Sequence, residues 1–295
     1  MANITFIGLG SIGLQMANNL LAVGHAVTGY DQRSAQTARL QQQGGRVAEN
    51  LISAVQDADF VVSKLPSAQA VRSVYLEAAD VQSALKRSAI VIDCSTIGVE
   101  EARLIASTLE NSGVSMLDAP AIGDARDARA RLLTFAVGGS TAAFTEAKAV
   151  LEDMGERVVH VGKSGSGQAA VLCTQLMTIV NLLGAAEAFA LAERIGLPPE
   201  KLFEVASLST AASWALVERC PQSGLVPEAP SNNMYQGGFA SERILHDLRL
   251  LEQAGLRTDA RIPMTAQAVD LYAEFCDVKD PRLDASAIIQ VLRRR

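Results

Sequence analysis

The chain has 295 residues, 49% hydrophobic and 20% charged, with a formal net charge of -6. That length suits about two domains with a sizeable core, and the acidic balance gives no footprint for nucleic acid or an anionic membrane. Cys94, Cys173, Cys220 and Cys276 form neither CxxC nor metal-ligand spacing, which fits a reduced, cytoplasmic protein without a metal site better than a disulfide scaffold.

Met1 leads directly into the strand-like run ANITFI, with no basic segment of the kind that opens a signal or transit peptide. GLGSIG follows, then a helical pattern ending on Gly24, then the strand HAVTGYD closing on Asp31. Helices are predicted at 34–43 and 51–58, with a terse element at 46–49 between them. After these come the strand DFVVSKL, the helix SAQAVRSVYL, the strand AIVIDCS, the helix VEEARLIASTLE and the strand VSMLDAP. LLTFAVGG and RVVHVG supply further strands. This alternation predicts an α/β fold, a Rossmann-type doubly wound parallel sheet over residues 1–164.

Beyond Gly167 strand patterns stop, which predicts an all-α domain over residues 165–295 for substrate and oligomer contacts. It is led by a long central helix within Gly162 to Gly196. That helix carries no charge from Gln168 to Ala186, as expected of one buried nearly all round. Gln168, Thr174, Gln175, Thr178 and Asn181 argue for a core helix over a membrane span, and they need partners. The basic end, Arg293 to Arg295, reads as a solvated tail.

Gly8, Gly10 and Gly13 form G-x-G-x-x-G between a strand and a helix, with an acidic residue closing the next strand. In that context the glycines permit a tight turn, close approach to a pyrophosphate and close helix packing. Gly8, Leu9, Gly10, Ser11, Ile12, Gly13, Asp31 and Gln32 are therefore candidate contacts to a dinucleotide. Asp31 would accept from ribose hydroxyls and repel a 2′-phosphate, which favours NAD; Arg33 keeps NADP open.

Together FIGLGSIGLQMANNLLAVGH, KLPSAQAVRSVYL, IDCSTI, DAPAIGD, GKSGSGQAA and NNMYQGGFASERILHDLRLL resemble the β-hydroxyacid dehydrogenase family, closest to its 3-hydroxyisobutyrate dehydrogenase branch. The resemblance covers almost the whole chain. It implies a nicotinamide-dependent oxidoreductase acting on a small molecule, a homodimer or homotetramer packed through its helical domains, and cofactor contacts from Leu65, Pro66, Ser95 and Thr96. Departures fall at the expected chemistry. Val171 holds the position of the family's proton-carrying lysine and Gln175 that of its asparagine. In the substrate loop, around Gly123, Ile122 replaces a serine and Asp124 a glycine. His246 replaces a lysine near the nicotinamide.

Val171 and Gln175 are four apart and share a helix face. Val171 has no proton to exchange and reads as core packing; Gln175 reads equally as a substrate contact or a satisfied buried amide. His246 is a candidate acid–base group and cofactor contact, since an ordinary histidine titrates near pH 6.5; otherwise it pairs on the surface with Glu242. Asp124 is either a solvated loop carboxylate or a site acid able to hold an amine or iminium. Trp214 lines the cleft or packs between helices, and Cys173 reads as a small core residue rather than a nucleophile.

Three functions follow. The first is a family oxidoreductase with an altered site, acting on a hydroxy, carbonyl or imine substrate through His246 or Asp124, as imine reductases also lack the lysine. The second is a conventional 3-hydroxyisobutyrate-type dehydrogenase using His246 or water. The third is a catalytically silent NAD-binding protein.

Overall fold

A computed structural model describes residues 1–294, which form two compact units, one from Met1 to Val171 and one from Leu172 onward. In the first, strand β1 (Asn3–Ile7) leads to helix α1 (Gly13–Ala22), followed by β2 (Ala26–Tyr30), α2 (Ser34–Gln42), β3 (Arg46–Val47) and α3 (Leu51–Val55). The chain continues through β4 (Phe60–Ser63), α4 (Ala68–Tyr75), α5 (Ala79–Ala84), β5 (Ile90–Asp93), α6 (Val99–Asn111) and β6 (Ser115–Asp118). It closes with β7 (Ala121–Ile122), α7 (Ala125–Ala130), β8 (Thr134–Gly138), α8 (Thr141–Met154) and β9 (Arg157–Gly162).

The sheet order is β3-β2-β1-β4-β5-β6-β8-β7, with β9 against the other edge of β8. Successive residues of β1 enter opposite cores, because a strand alternates its side chains. Phe6 packs with Leu20, Leu117 and Phe135 on one face, and Ile7 packs with Val61, Val74 and Ile105 on the other. Burial on both faces explains why these strands read as unbroken apolar runs.

The sheet is mostly, but not wholly, parallel. β8 runs antiparallel to both β6 and β7, while β9 is parallel to β8. The two-residue β7 returns to β8 through the short α7, a connection too short for the crossover that a parallel pair requires. The stretch TAAFTEAKAVLEDM, unassigned above, forms α8, capped by the Ser140 hydroxyl accepting from Ala143 N at 3.2 Å.

Helix α9 (Ser166–Arg194) runs across the boundary between the units. The second unit then contains α10 (Pro199–Ser207), α11 (Trp214–Val217), α12 (Ser241–Thr258), α13 (Pro263–Val278) and α14 (Ile289–Leu292), with 3-10 turns at Pro230–Asn233 and Ala285–Ile288. Its core gathers Leu248, Tyr272, Phe275 and Ile288, and the Tyr272 hydroxyl donates to Ala285 O at 3.0 Å.

Two expectations are corrected here. α9 is not buried all round: Ile179, Leu182, Ala186 and Phe189 are buried, but Met177 and Leu191 are 59% and 60% exposed, as is Ile195 just past its end at 69%, and Cys173 is exposed rather than in the core. By length and composition alone, α9 would suffice to cross a membrane. Arg293 is not a solvated tail, since its Nε lies 2.8 Å from Glu193 and its carbonyl accepts from Arg194; Arg295 lies outside the described residues.

Candidate active site

The turn after β1 is built for close approach. Gly8 has φ +91°, and a Cβ there would strike the Lys64 carbonyl; a Cβ on Gly13 would strike the Gly8 carbonyl. By contrast, no atom lies within 4 Å of where a Gly10 Cβ would sit. Beside it α1 begins, with Leu14 N donating to Gly10 O at 2.9 Å and the positive end of the helix dipole toward the turn. An open cradle facing a helix N-terminus fits a pyrophosphate.

At the end of β2, Asp31 Oδ2 accepts from Leu9 N at 2.8 Å, while Oδ1 accepts from Arg33 N at 2.9 Å and Arg33 Nε at 3.1 Å. Burial raises this carboxyl, but the bonds from Arg33 and Leu9 outweigh it and hold it below the usual range. Asp31 is thus an anion tied to the glycine turn itself. Gln32 is exposed next to it.

The loops after β4 and β5 are fastened together. Leu65 N donates to Ser95 Oγ at 2.8 Å, and the hydroxyls of Ser95 and Ser63 each donate to Asp93 Oδ1 at 2.7 Å. Burial pushes the Asp93 carboxyl up, against the pull of those two hydroxyls. Ser95 and Thr96 are buried, while Pro66 is exposed on the neighbouring loop.

At the end of β6, Asp118 accepts from Gly165 N at 2.7 Å and Gln168 N at 2.9 Å, anchoring the first turn of α9. Burial raises its carboxyl to about 6, against the lowering by those backbone bonds. Gln168, wholly buried, accepts from Ile97 N at 3.0 Å through Oε1 and donates to Ser95 O at 2.8 Å through Nε2.

Asp124 is not solvated; it is 4% exposed and caps α7, accepting from Arg126 N at 2.7 Å and Asp127 N at 3.1 Å, with the Arg126 guanidinium at 3.4 Å. Ile122 and Gly123, the latter at φ +138°, are half-buried just before it. Val171 is 3% exposed.

In the helical unit, Gln175 Nε2 donates to Asp247 Oδ2 at 2.9 Å, and Arg243 Nε lies 3.6 Å from Asp247 Oδ1. His246 is half-buried at the preceding position of α12, and Glu242 is exposed. Trp214 meets Phe239 edge-on at 6.2 Å, with the Arg219 guanidinium 5.3 Å from its ring centre. Gln175, Thr178, Trp214, Arg219, Phe239 and Asp284 line one small pocket.

The structure therefore brings Gln175 and Trp214 to one pocket, and Leu65 to Ser95, among the candidate residues. Asp93, Asp118 and Gln168 were not foreseen as site-forming. All three lie within stretches quoted for the resemblance, IDCSTI, DAPAIGD and GKSGSGQAA, and Gln168 was also marked as a polar residue in an uncharged run.

Comparison with known proteins bears on this arrangement. The family profile for the NAD binding domain of 6-phosphogluconate dehydrogenase matches residues 3–162, and that for the NAD-binding region of NADP-dependent 3-hydroxyisobutyrate dehydrogenase matches residues 165–292. The chain is 38% identical over 296 residues to a probable 3-hydroxyisobutyrate dehydrogenase of Mycobacterium tuberculosis, covering 100% of this chain and 99% of the relative. A solved structure of M. tuberculosis 3-hydroxyisobutyrate dehydrogenase with L-serine superposes with a TM-score of 0.95 at 37% identity, covering 100% of both chains. An NAD-dependent L-serine dehydrogenase of Pseudomonas aeruginosa is 36% identical over 272 residues, 92% of this chain and 91% of the relative. An imine reductase of Myxococcus stipitatus shares the fold, with a TM-score of 0.67 at 18% identity, covering 100% of both chains.

Proposed function

Since the chain belongs to the β-hydroxyacid dehydrogenase family and is an NAD(P)-dependent oxidoreductase, we propose that it uses NAD in preference to NADP on a small substrate bearing C=O or C=N. In this reading His246 handles the proton. The observation that carries it is Val171: a side chain with no exchangeable proton, 3% exposed, stands where the family lysine is expected.

The Gly8–Gly13 turn, Asp31, Gln32, Leu65, Pro66, Ser95, Thr96 and His246 would hold the dinucleotide, whose nicotinamide would supply or accept the hydride. The substrate contacts expected from the family likeness are Ile122, Gly123, Asp124 and Val171 in the first unit and Gln175 and Trp214 in the second. Of the three histidines, His25 is 2.9 Å from Asp153 and His160 Nε2 is 2.9 Å from Gly139 O, so both already serve the fold. Asp124 is committed as a helix cap, accepting from Arg126 N and Asp127 N. Gln175 donates to Asp247, which leaves its carbonyl oxygen as an acceptor for a substrate N–H or O–H. With Val171 in place of a lysine, Ile122 of a serine and Asp124 of a glycine, the site suits a neutral or iminium substrate better than a carboxylate. The enzyme is cytoplasmic and forms a homodimer or homotetramer; the exposed Met177, Leu191 and Ile195 support a covering second copy.

A panel of hydroxyacids, aldehydes and imines with NAD(H) and NADP(H), followed at the nicotinamide absorbance, tests the reading. His246→Ala is expected to cost on the order of 10²-fold in rate, and Val171→Lys to raise turnover of 3-hydroxyisobutyrate. An unchanged rate in His246→Ala removes it from proton transfer. Silence over the whole panel overturns the proposed reaction.

A further inference from the structure

We propose that Gln168 is a positioning residue that locks the Ser95–Thr96 turn to the first turn of α9, so that cofactor affinity depends on a side chain expected to touch no cofactor atom. The proposal rests on the reading that this turn borders the nicotinamide.

Its geometry is two-sided. The amide oxygen takes the N–H of Ile97 at 3.0 Å and the amide nitrogen gives a hydrogen bond to the carbonyl of Ser95 at 2.8 Å. Ser95 and Ile97 flank Thr96, so the side chain grips the turn on both sides of that residue. The reversed amide would set donor against donor and acceptor against acceptor, so the orientation is fixed by its partners. Gln168 is also held from behind, since its own N–H donates to Asp118 at 2.9 Å.

The lock extends in both directions. Ser95, gripped through its carbonyl by Gln168, uses its hydroxyl to accept from Leu65 N and to donate to Asp93. The loop after β4, the turn after β5, the end of β6 and the start of α9 are thereby joined through one buried chain of hydrogen bonds. Val171 lies three residues beyond Gln168 on α9. Gln168, Ser95, Ile97, Asp93 and Asp118 are wholly or nearly buried and Leu65 is half-buried; in the buried links a lost partner costs more than a lost surface bond.

The test measures NADH binding by fluorescence titration in wild type, Gln168→Leu and Gln168→Glu, from about pH 5 to about pH 9, alongside thermal melting. A leucine keeps the volume and removes both bonds, leaving Ser95 O and Ile97 N without their partner; NADH affinity should fall on the order of tenfold. A protonated glutamic acid can reproduce both bonds, one by O–H and one by C=O, whereas its carboxylate turns an acceptor toward the Ser95 carbonyl. Gln168→Glu should therefore bind NADH like wild type at acid pH and weaken as the new carboxyl ionises. Asp118, on its N–H, and Asp93, behind Ser95, are the acids beside it, and wild type titrated in parallel removes their contribution.

That pH-dependent loss is not expected of a residue that merely fills space. If both variants remain folded and bind NADH like wild type at every pH, the proposal is overturned. Should Gln168→Leu fail to fold, the pH dependence of Gln168→Glu decides. If wild type itself binds no NADH, the cofactor reading fails first and the proposal falls with it.

Discussion

Asp31 has two duties at the end of β2, and they pull on the same carboxylate. It receives the Leu9 N–H of the glycine turn, and it receives both the backbone and the side chain of Arg33. The Arg33 side chain is 63% exposed. It pairs with Asp31, and in the proposed NAD preference the carboxylate would repel a 2′-phosphate while it holds the guanidinium to itself. Asp31→Ala should weaken NAD binding by about tenfold and free Arg33 to meet the phosphate of NADP, so NADP should lose less affinity or gain some. Dissociation constants for both cofactors check this, and a larger loss for NADP would reverse the cofactor preference proposed here. The acid was legible from its place after the glycine motif. Its tie to the arginine was not, because a pair two residues apart can form or not with equal ease in a sequence.

At the scale of one element, the start of α9 depends on Asp118. Its folded carboxyl is raised from 3.8 to about 6, so between those values the folded state holds a proton that the unfolded state has released. Stability from this group is therefore complete below about pH 4 and is lost as pH rises through about 6. The difference is on the order of 3 kcal/mol. Denaturant unfolding of wild type and Asp118→Asn across that window should show the variant's deficit greatest at acid pH and shrinking toward neutrality. A gap that stays constant would mean that Asp118 does not titrate there. The elements themselves were unequally legible. β1, β4 and β5 are apolar on both faces and announce themselves. α7, with the sequence ARDARA, has no apolar stripe, and the direction of β8 leaves no trace in its composition, because a strand buried on both faces looks alike whichever way it runs.

For the whole molecule, the absence of charge along α9 was read as burial on every side, and the single chain shows only half of that. One side of the helix enters the core through Ile179, Leu182, Ala186 and Phe189. The other side exposes positions 177, 184, 188 and 191, at intervals of seven, four and three residues, the seam spacing by which one helix packs along another, and Ile195 follows just past its end. Nearby in sequence, α10 has no buried residue, and Val205 and Leu208 are 69% and 86% exposed. A sequence cannot separate apolar residues meant for its own core from those meant for a second copy, because both are removed from water. Replacing Leu191 and Ile195 together by Glu should leave the fold of one chain intact, since both side chains already face solvent, while placing charges against their symmetry mates across a two-fold interface. Sedimentation should then show a shift from dimer or tetramer toward monomer. An assembly unchanged by both charges would move the interface elsewhere. The monomer should still bind NADH, because the glycine turn, Asp31, Leu65, Ser95 and Gln168 all belong to the unit that ends at Val171. Loss of binding together with loss of assembly would mean that a second copy completes the cofactor site.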